Sequence, residues 1–185
     1  MMKQRENFKD KIVLDYGKIE RIADGFRAAN KRIVVTIGSW DLFHVGHARY
    51  LLQAALQGDA LLVGVDSNRT MKLYKGPMRP AITEEERMEL LSHLDYVDYI
   101  TLIDDVDERG DWQYELIKTI RPDVFVAVEN SYPEEQLAAI RQHCEKVVVL
   151  PPQGKTSTSV TIHTLVKKYL EEAGKNLEKL EKRKL

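Results

Sequence analysis

A single cysteine, Cys144, stands in 185 residues, which excludes an internal disulfide framework and suits a reducing compartment. The 28 Lys and Arg nearly balance the 29 Asp and Glu, so a formal charge of −1 supplies no general attraction to nucleic acid or to an anionic membrane. No run approaches the roughly 20 apolar residues of a membrane helix, and the opening MMKQRENFKDK lacks the apolar core of a signal peptide, so the chain reads as cytoplasmic. A Ser-His-Asp or Cys-His arrangement at a recognisable spacing is missing, which argues against covalent catalysis. Gly154-Lys155-Thr156 invites a P-loop reading, but Val149 stands where the Walker pattern needs glycine, and the tripeptide follows the last apolar run. No internal repeat or linker divides the chain, whose length suits one domain.

What is present is an alternation. Ile19, Ile22, Ala23 and Phe26 recur at helical spacing before an apolar β-branched run, Ile33–Ile37. A helix over 46–57, the apolar run ALLVGV, a capping-box helix from Thr83 and further strands near 95–102, 123–128 and 147–150 follow, the last three interleaved with helices over 111–120 and 133–144. Strands alternating with helices predict βαβ units, hence an α/β protein with a five-stranded parallel sheet and helices on both faces. Residues 1–17 read as a flexible lead-in, 18–170 as the folded domain and 171–185 as a charged helical tail.

The chain is organised around VVTIGSWDLFHVGHARYLL, Val34–Leu52. The strand ends at Gly38, a short loop carries Asp41 and His44, and Gly46 and His47 open a helix. Ligands of open α/β sheets bind beyond the C-terminal strand ends, where the next helix offers unpaired N–H groups to an anion. His44 and His47, three apart, can face one side of the first turn, and Gly46 leaves room for a phosphate. Two alternatives stay open on the residues alone: an ordinary pair of neighbouring histidines, or a zinc site, although no third or fourth ligand stands at a recognisable spacing.

Gly38-Ser39-Trp40-Asp41 with His44-Val45-Gly46-His47 resembles the G-x-F-D…H-x-G-H signature of the cytidylyltransferase-like nucleotidyltransferases, with Trp40 in place of the usual Phe. The helix before the first strand, and Lys75-Gly76 with Arg79-Pro80, resemble bacterial heptose-1-phosphate adenylyltransferases. The resemblance implies a Rossmann-like single domain over roughly 18–168. It implies a reaction in which a nucleoside triphosphate and a phosphorylated sugar or small alcohol give pyrophosphate, with His44, His47 and Lys75 catalytic. Gly38, Ser39, Trp40, Asp41, Gly46, Lys72 and Arg87 are expected at the nucleotide. So are Ser157, Thr158 and Ser159, which resemble the family's second signature. Arg79, Glu129 and Asn130 are expected at the acceptor.

Charge alone would equally make 66–82 a solvated basic loop, and Arg87 a surface partner of Glu84. The heptose enzymes carry K-G-G-D-Y after strand four where this chain has Ala127-Val128-Glu129-Asn130-Ser131, which removes a carboxylate for sugar hydroxyls. Pro151 occupies the place of an arginine typical of cytidylyltransferases acting on small alcohol phosphates, so ATP is expected over CTP. Mg²⁺ is expected on the pyrophosphate, with no assigned protein ligand, and a homodimer without nucleic-acid or membrane partners is expected. The alternatives are a cytidylyltransferase for a phosphorylated polyol or amino alcohol, and a catalytically degenerate nucleotide-binding module.

Overall fold

The structure, a computed structural model, describes residues 8–181, with side chains described to residue 175. Its five strands are β1 (Ile33–Gly38), β2 (Ala60–Asp66), β3 (Tyr99–Ile103), β4 (Val124–Val128) and β5 (Lys146–Leu150). Every pairing is parallel and the order is β3-β2-β1-β4-β5. The chain winds outward from β1 to β3, then crosses back to β4 beside β1. The crevice where the winding reverses therefore opens at the C-terminal ends of β1 and β4.

Alternate residues of β1 feed two cores. Ile33 and Val35 pack with Ile19 and Ala23 of α1 (Tyr16–Ala28), Leu116, Ile117 and Ile120 of α5 (Glu115–Ile120), and Leu137 and Ile140 of α6 (Glu134–Arg141). Val34 packs on the other face with Tyr50, Leu51 and Ala54 of α2 (Val45–Ala55), and with Met88 and Leu91 of α4 (Glu84–Ser92). The period of two along the strand meets the helical period on each side, which makes the three-layer arrangement.

The segment 66–82, expected as a long polar connection, contains α3 (Asn68–Lys75), capped by the Ser67 side chain accepting from Thr70 N–H at 3.0 Å. Residues 8–17 also differ from a lead-in. Phe8–Lys11 form a 3₁₀ turn, Ile12 bridges to Ile100, Val13 is buried, and Asp15 caps α1 by accepting from Lys18 N–H at 3.1 Å. Two apolar residues suffice to extend the β3 edge, too short a pattern to show periodicity. Residues 1–7 of that expected lead-in lie outside the described residues, as do 182–185 of the tail. The last helix, α7 (Thr158–Glu181), runs unbroken through the expected boundary at 170. Among the described residues no helix is long and apolar enough to cross a membrane.

Candidate functional site

A cavity of ≈ 710 Å³ opens over the C-terminal strand ends, large enough for a nucleotide and a second small molecule. At its centre is the loop between β1 and α2. His44 is the N-cap of α2, and its Nδ1 accepts from Gly46 N–H at 3.1 Å. His47 returns the favour, its Nδ1 accepting from His44 N–H at 3.4 Å. The rings stack with centroids 3.9 Å apart. With both Nδ1 atoms serving as acceptors, the neutral rings carry their protons on Nε2, so two ring N–H donors remain for a ligand. Burial lowers the pKa of both rings. For His47 it falls to about 4, through burial first, then His44 and Lys75, with Asp41 opposing. At neutral pH the free site therefore offers neutral donors.

Glycine at 46 has a different reason from room for a phosphate. A Cβ there would lie 2.8 Å from His44 Cε1 and 3.5 Å from Gly154 Cα, while one on Gly154 would lie 3.0 Å from Gly46 Cα. Two backbones meet here. Gly38 similarly gives way to the Trp40 ring, 3.2 Å from where its Cβ would be. Trp40 lines the cavity as a wall, but its indole N–H is spent on Gly64 O at 2.9 Å. Trp40 and Leu42 both take positive φ, 53° and 45°, a backbone cost tolerated where surroundings impose it. Those surroundings are Arg87, whose guanidinium donates to Ser39 O, and Thr158, whose Oγ1 donates to Asp41 O at 2.6 Å.

The structure places several of the expected ligand residues in contacts within the protein. Asp41 is fully buried and does not itself line the cavity. Its carboxylate accepts from Arg79 Nε at 2.8 Å and from the N–H groups of Ala81 and Ile82 at 3.1 and 3.0 Å, which pins the loop after α3. Arg79 is thereby paired with Asp41, while its Nη2 has no hydrogen-bond partner among the described residues. Arg87 is 2% exposed, and its hydrogen bonds go to Ile82 O, Ser39 O and Asn68 Oδ1 rather than to Glu84. Thr158 is buried on Asp41 O, and Ser159, Lys72, Glu129 and Asn130 are exposed outside the cavity lining. A formal charge in sequence does not reveal whether the protein itself neutralises it.

Gly38, Ser39, Trp40, His44, Gly46, His47, Lys75 and Ser157 do line the cavity together. Lys75 Nζ donates to Ser39 Oγ at 2.8 Å, and burial with Arg79 nearby lowers its pKa. Lys155 and Thr156 add to this phosphate-suited side. Sequence reasoning missed Asp66, Tyr74, Asp105, Trp112, Tyr114 and Tyr132, which line the rest. A signal existed for two of them, since Asp66 directly follows the second apolar run and Asp105 stands two residues after the third, at the sheet edge where ligands bind.

An open parallel sheet with paired imidazole donors, lysines and a hydroxyl-rich turn at its switch point defines a phosphate-handling α/β protein. The sequence pattern of the cytidylyltransferase-like family matches residues 35–173, and the chain belongs to that family. Bifunctional protein HldE from Nitratiruptor sp. is 38% identical over 117 residues, 63% of this chain and 24% of that protein. HldE from Methylobacillus flagellatus is 37% identical over 143 residues, 76% and 28% respectively, and that from Geobacter metallireducens 33% over 153 residues, 82% and 30%. The chain thus spans less than a third of these relatives. The crystal structure of the lipopolysaccharide core biosynthesis protein from Thermoplasma volcanium GSS1 superposes with a TM-score of 0.54 at 27% identity, covering 65% of this chain and 96% of that one. A pantoate-β-alanine ligase from Francisella tularensis, 16% identical with a TM-score of 0.54 over 80% of this chain and 68% of its own, shares the fold.

Proposed function

We propose that the chain is a nucleotidyltransferase that moves a nucleoside monophosphate, AMP in preference to CMP, from a nucleoside triphosphate to a phosphorylated sugar or small alcohol. One observation carries the reading: the His44 and His47 rings, each held by a backbone N–H at Nδ1, leave both Nε2–H groups for a ligand in the phosphate-suited part of the cavity. Family membership and similarity to HldE support it.

An oxygen of the acceptor phosphate attacks the α-phosphorus. The new P–O bond forms as the α–β bridging P–O bond breaks, and pyrophosphate leaves with the electron pair. The attacking oxygen is already anionic, so no base is needed. Catalysis then rests on positioning and on charge stabilisation. His44 and His47 donate to the phosphate oxygens, Lys75 neutralises the triphosphate tail, and Ser157 flanks it. Mg²⁺ would be held by the triphosphate rather than by this chain's side chains, and when bound it would offset charge on the leaving pyrophosphate. Among the described residues no three His, Cys, Asp or Glu side chains are grouped to hold an ion.

The test is pyrophosphate release over a grid of triphosphates and phosphorylated acceptors; nucleotide binding without turnover anywhere on the grid refutes the transfer reading. We place the chain in the cytoplasm, in keeping with its lone cysteine, and propose a homodimer. Leu165, Val166, Tyr169 and Leu170 on α7 are 49–71% exposed, an apolar face that a second copy would cover. A monomeric mass by light scattering at micromolar concentration refutes the dimer.

A further inference from the structure

The cavity is chemically lopsided along the sheet. Lys155 and the two neutral imidazoles stand on the β1 and β5 side, whereas the part beyond β2 and β3 carries Asp66, Asp105 and aromatic rings, with Lys75 Nζ 5.4 Å from the Tyr74 ring centroid. With strands about 4.8 Å apart, the ends of β3 and β5 are separated by about 19 Å, room for two ligands with the histidines between them. Pro152, Gln153 and Gly154, after β5, line one end; Asp66, Asp105, Tyr74, Trp112 and Tyr114 line the other.

Within that second part Asp66 is singular. It ends β2, is 3% exposed, and lines the cavity. The Tyr74 hydroxyl donates to Oδ2, but Oδ1 is buried without any hydrogen-bond partner. Asp105 differs, because its Oδ2 already accepts from Glu115 N–H at 2.6 Å. Leaving a desolvated carboxylate oxygen unmatched is costly, so a ligand donor is its natural partner. An ionised phosphate presents only acceptor oxygens there and offers Oδ1 no donor. Tyr74 holds the carboxylate in one orientation, and Tyr74 and Trp112, with centroids 6.1 Å apart, form an aromatic wall beside it.

We propose that Asp66, oriented by Tyr74, is the specificity-determining residue of the acceptor subsite, its Oδ1 receiving a hydrogen bond from an N–H or O–H donor on the body of the phosphorylated acceptor. The assignment rests on the transfer reading above and adds what the acceptor must present. A hydroxyl and an ammonium share this chemistry. A body bearing neither leaves Oδ1 unmatched and is discriminated against.

Three phosphate esters of equal length separate the possibilities: ethanolamine phosphate carries an ammonium, 2-hydroxyethyl phosphate a hydroxyl, and propyl phosphate neither. Each is titrated calorimetrically into the full chain saturated with α,β-methylene ATP and Mg²⁺, which cannot complete transfer. At least one donor-bearing ester should bind about ten- to hundredfold tighter than propyl phosphate, and the tighter one identifies the donor. Asp66→Asn, which turns an NH₂ toward the donor while relieving a buried charge, should remove that preference, and Tyr74→Phe should weaken it. Both variants should keep the affinity of the parent chain for the methylene analogue. Equal or undetectable binding of the three esters overturns the assignment, as does an Asp66→Asn variant that loses analogue affinity or changes its Mg²⁺ dependence. Failure of the analogue itself to bind refutes the transfer reading as well.

Discussion

His47 should make the fold acid-sensitive in a window that its neighbours define. An unfolded histidine has an ordinary pKa near 6.5, and burial against His44 and Lys75 lowers that of His47 to about 4. Above pH 6.5 both states are neutral and the residue contributes no pH dependence. Between 6.5 and 4 the unfolded chain binds a proton that the folded chain refuses, so stability falls as pH falls. Below 4 both are protonated and the loss levels off. At pH 5 the linked loss is about 2 kcal/mol, from a shift of the size given for His47. The assay is urea unfolding of the parent chain and of His47→Gln, which does not titrate, at pH 7 and pH 5. The parent should lose about 2 kcal/mol more than the variant, most other titrations cancelling in the difference. A triphosphate reverses the sign at the site, because its charge favours the imidazolium. Binding at pH 5.5 should therefore take up protons, seen as a dependence of the calorimetric enthalpy on the buffer's ionisation heat. Equal pH slopes for the two proteins, or proton release on binding, would refute the reasoning.

His44→Ala and His47→Ala should each lower kcat about a hundred- to a thousandfold, the scale of losing one preorganised donor, with circular dichroism unchanged. Near-parental turnover in a folded variant removes these rings from the mechanism. Asp41→Asn should destabilise the chain by about 3–5 kcal/mol in urea unfolding, since Arg79 is left partly buried without its carboxylate and two loop N–H groups lose a charged acceptor. A change under about 1 kcal/mol would show that the pair is not an anchor. With a working acceptor, kcat/KM should favour ATP over CTP; a clear preference for CTP reverses the assignment of the base and leaves the chemistry standing.

The sheet, its parallel sense and the strand–loop–helix unit bearing the histidines were legible because their signals are local. β-branched runs alternate with helical periods, and the two histidines stand three residues apart at a strand end. The aromatic wall of the cavity was not legible. Tyr74, Asp66 and Trp112 lie on α3, β2 and the loop before α5, and only the order β3-β2-β1-β4-β5 brings them to one wall. The internal contacts of the expected charged residues were hidden for a complementary reason. Arg79 and Arg87 carry the charge a phosphate would want, yet Arg79 pairs with Asp41 and Arg87 donates to Ser39 O, Ile82 O and Asn68 Oδ1. Val13 and Ile12 show the same limit at the edge of the fold, where two residues are enough to pair with β3 and too few to make a pattern.

The touching backbones of Gly46 and Gly154 have a consequence for synthesis. They are 108 positions apart, and Thr158, which fastens the loop at Asp41, follows only four residues later. A nascent chain that has released β1 to β4 already holds both histidines but lacks the segment that seats against them. Nucleotide can therefore stabilise only a polypeptide finished almost to α7, acting by mass action on the completed state alone. Ligand occupancy becomes a late checkpoint: a ribosome-arrested fragment ending near residue 150 should be digested by protease at the same rate with or without triphosphate, while the released chain is protected.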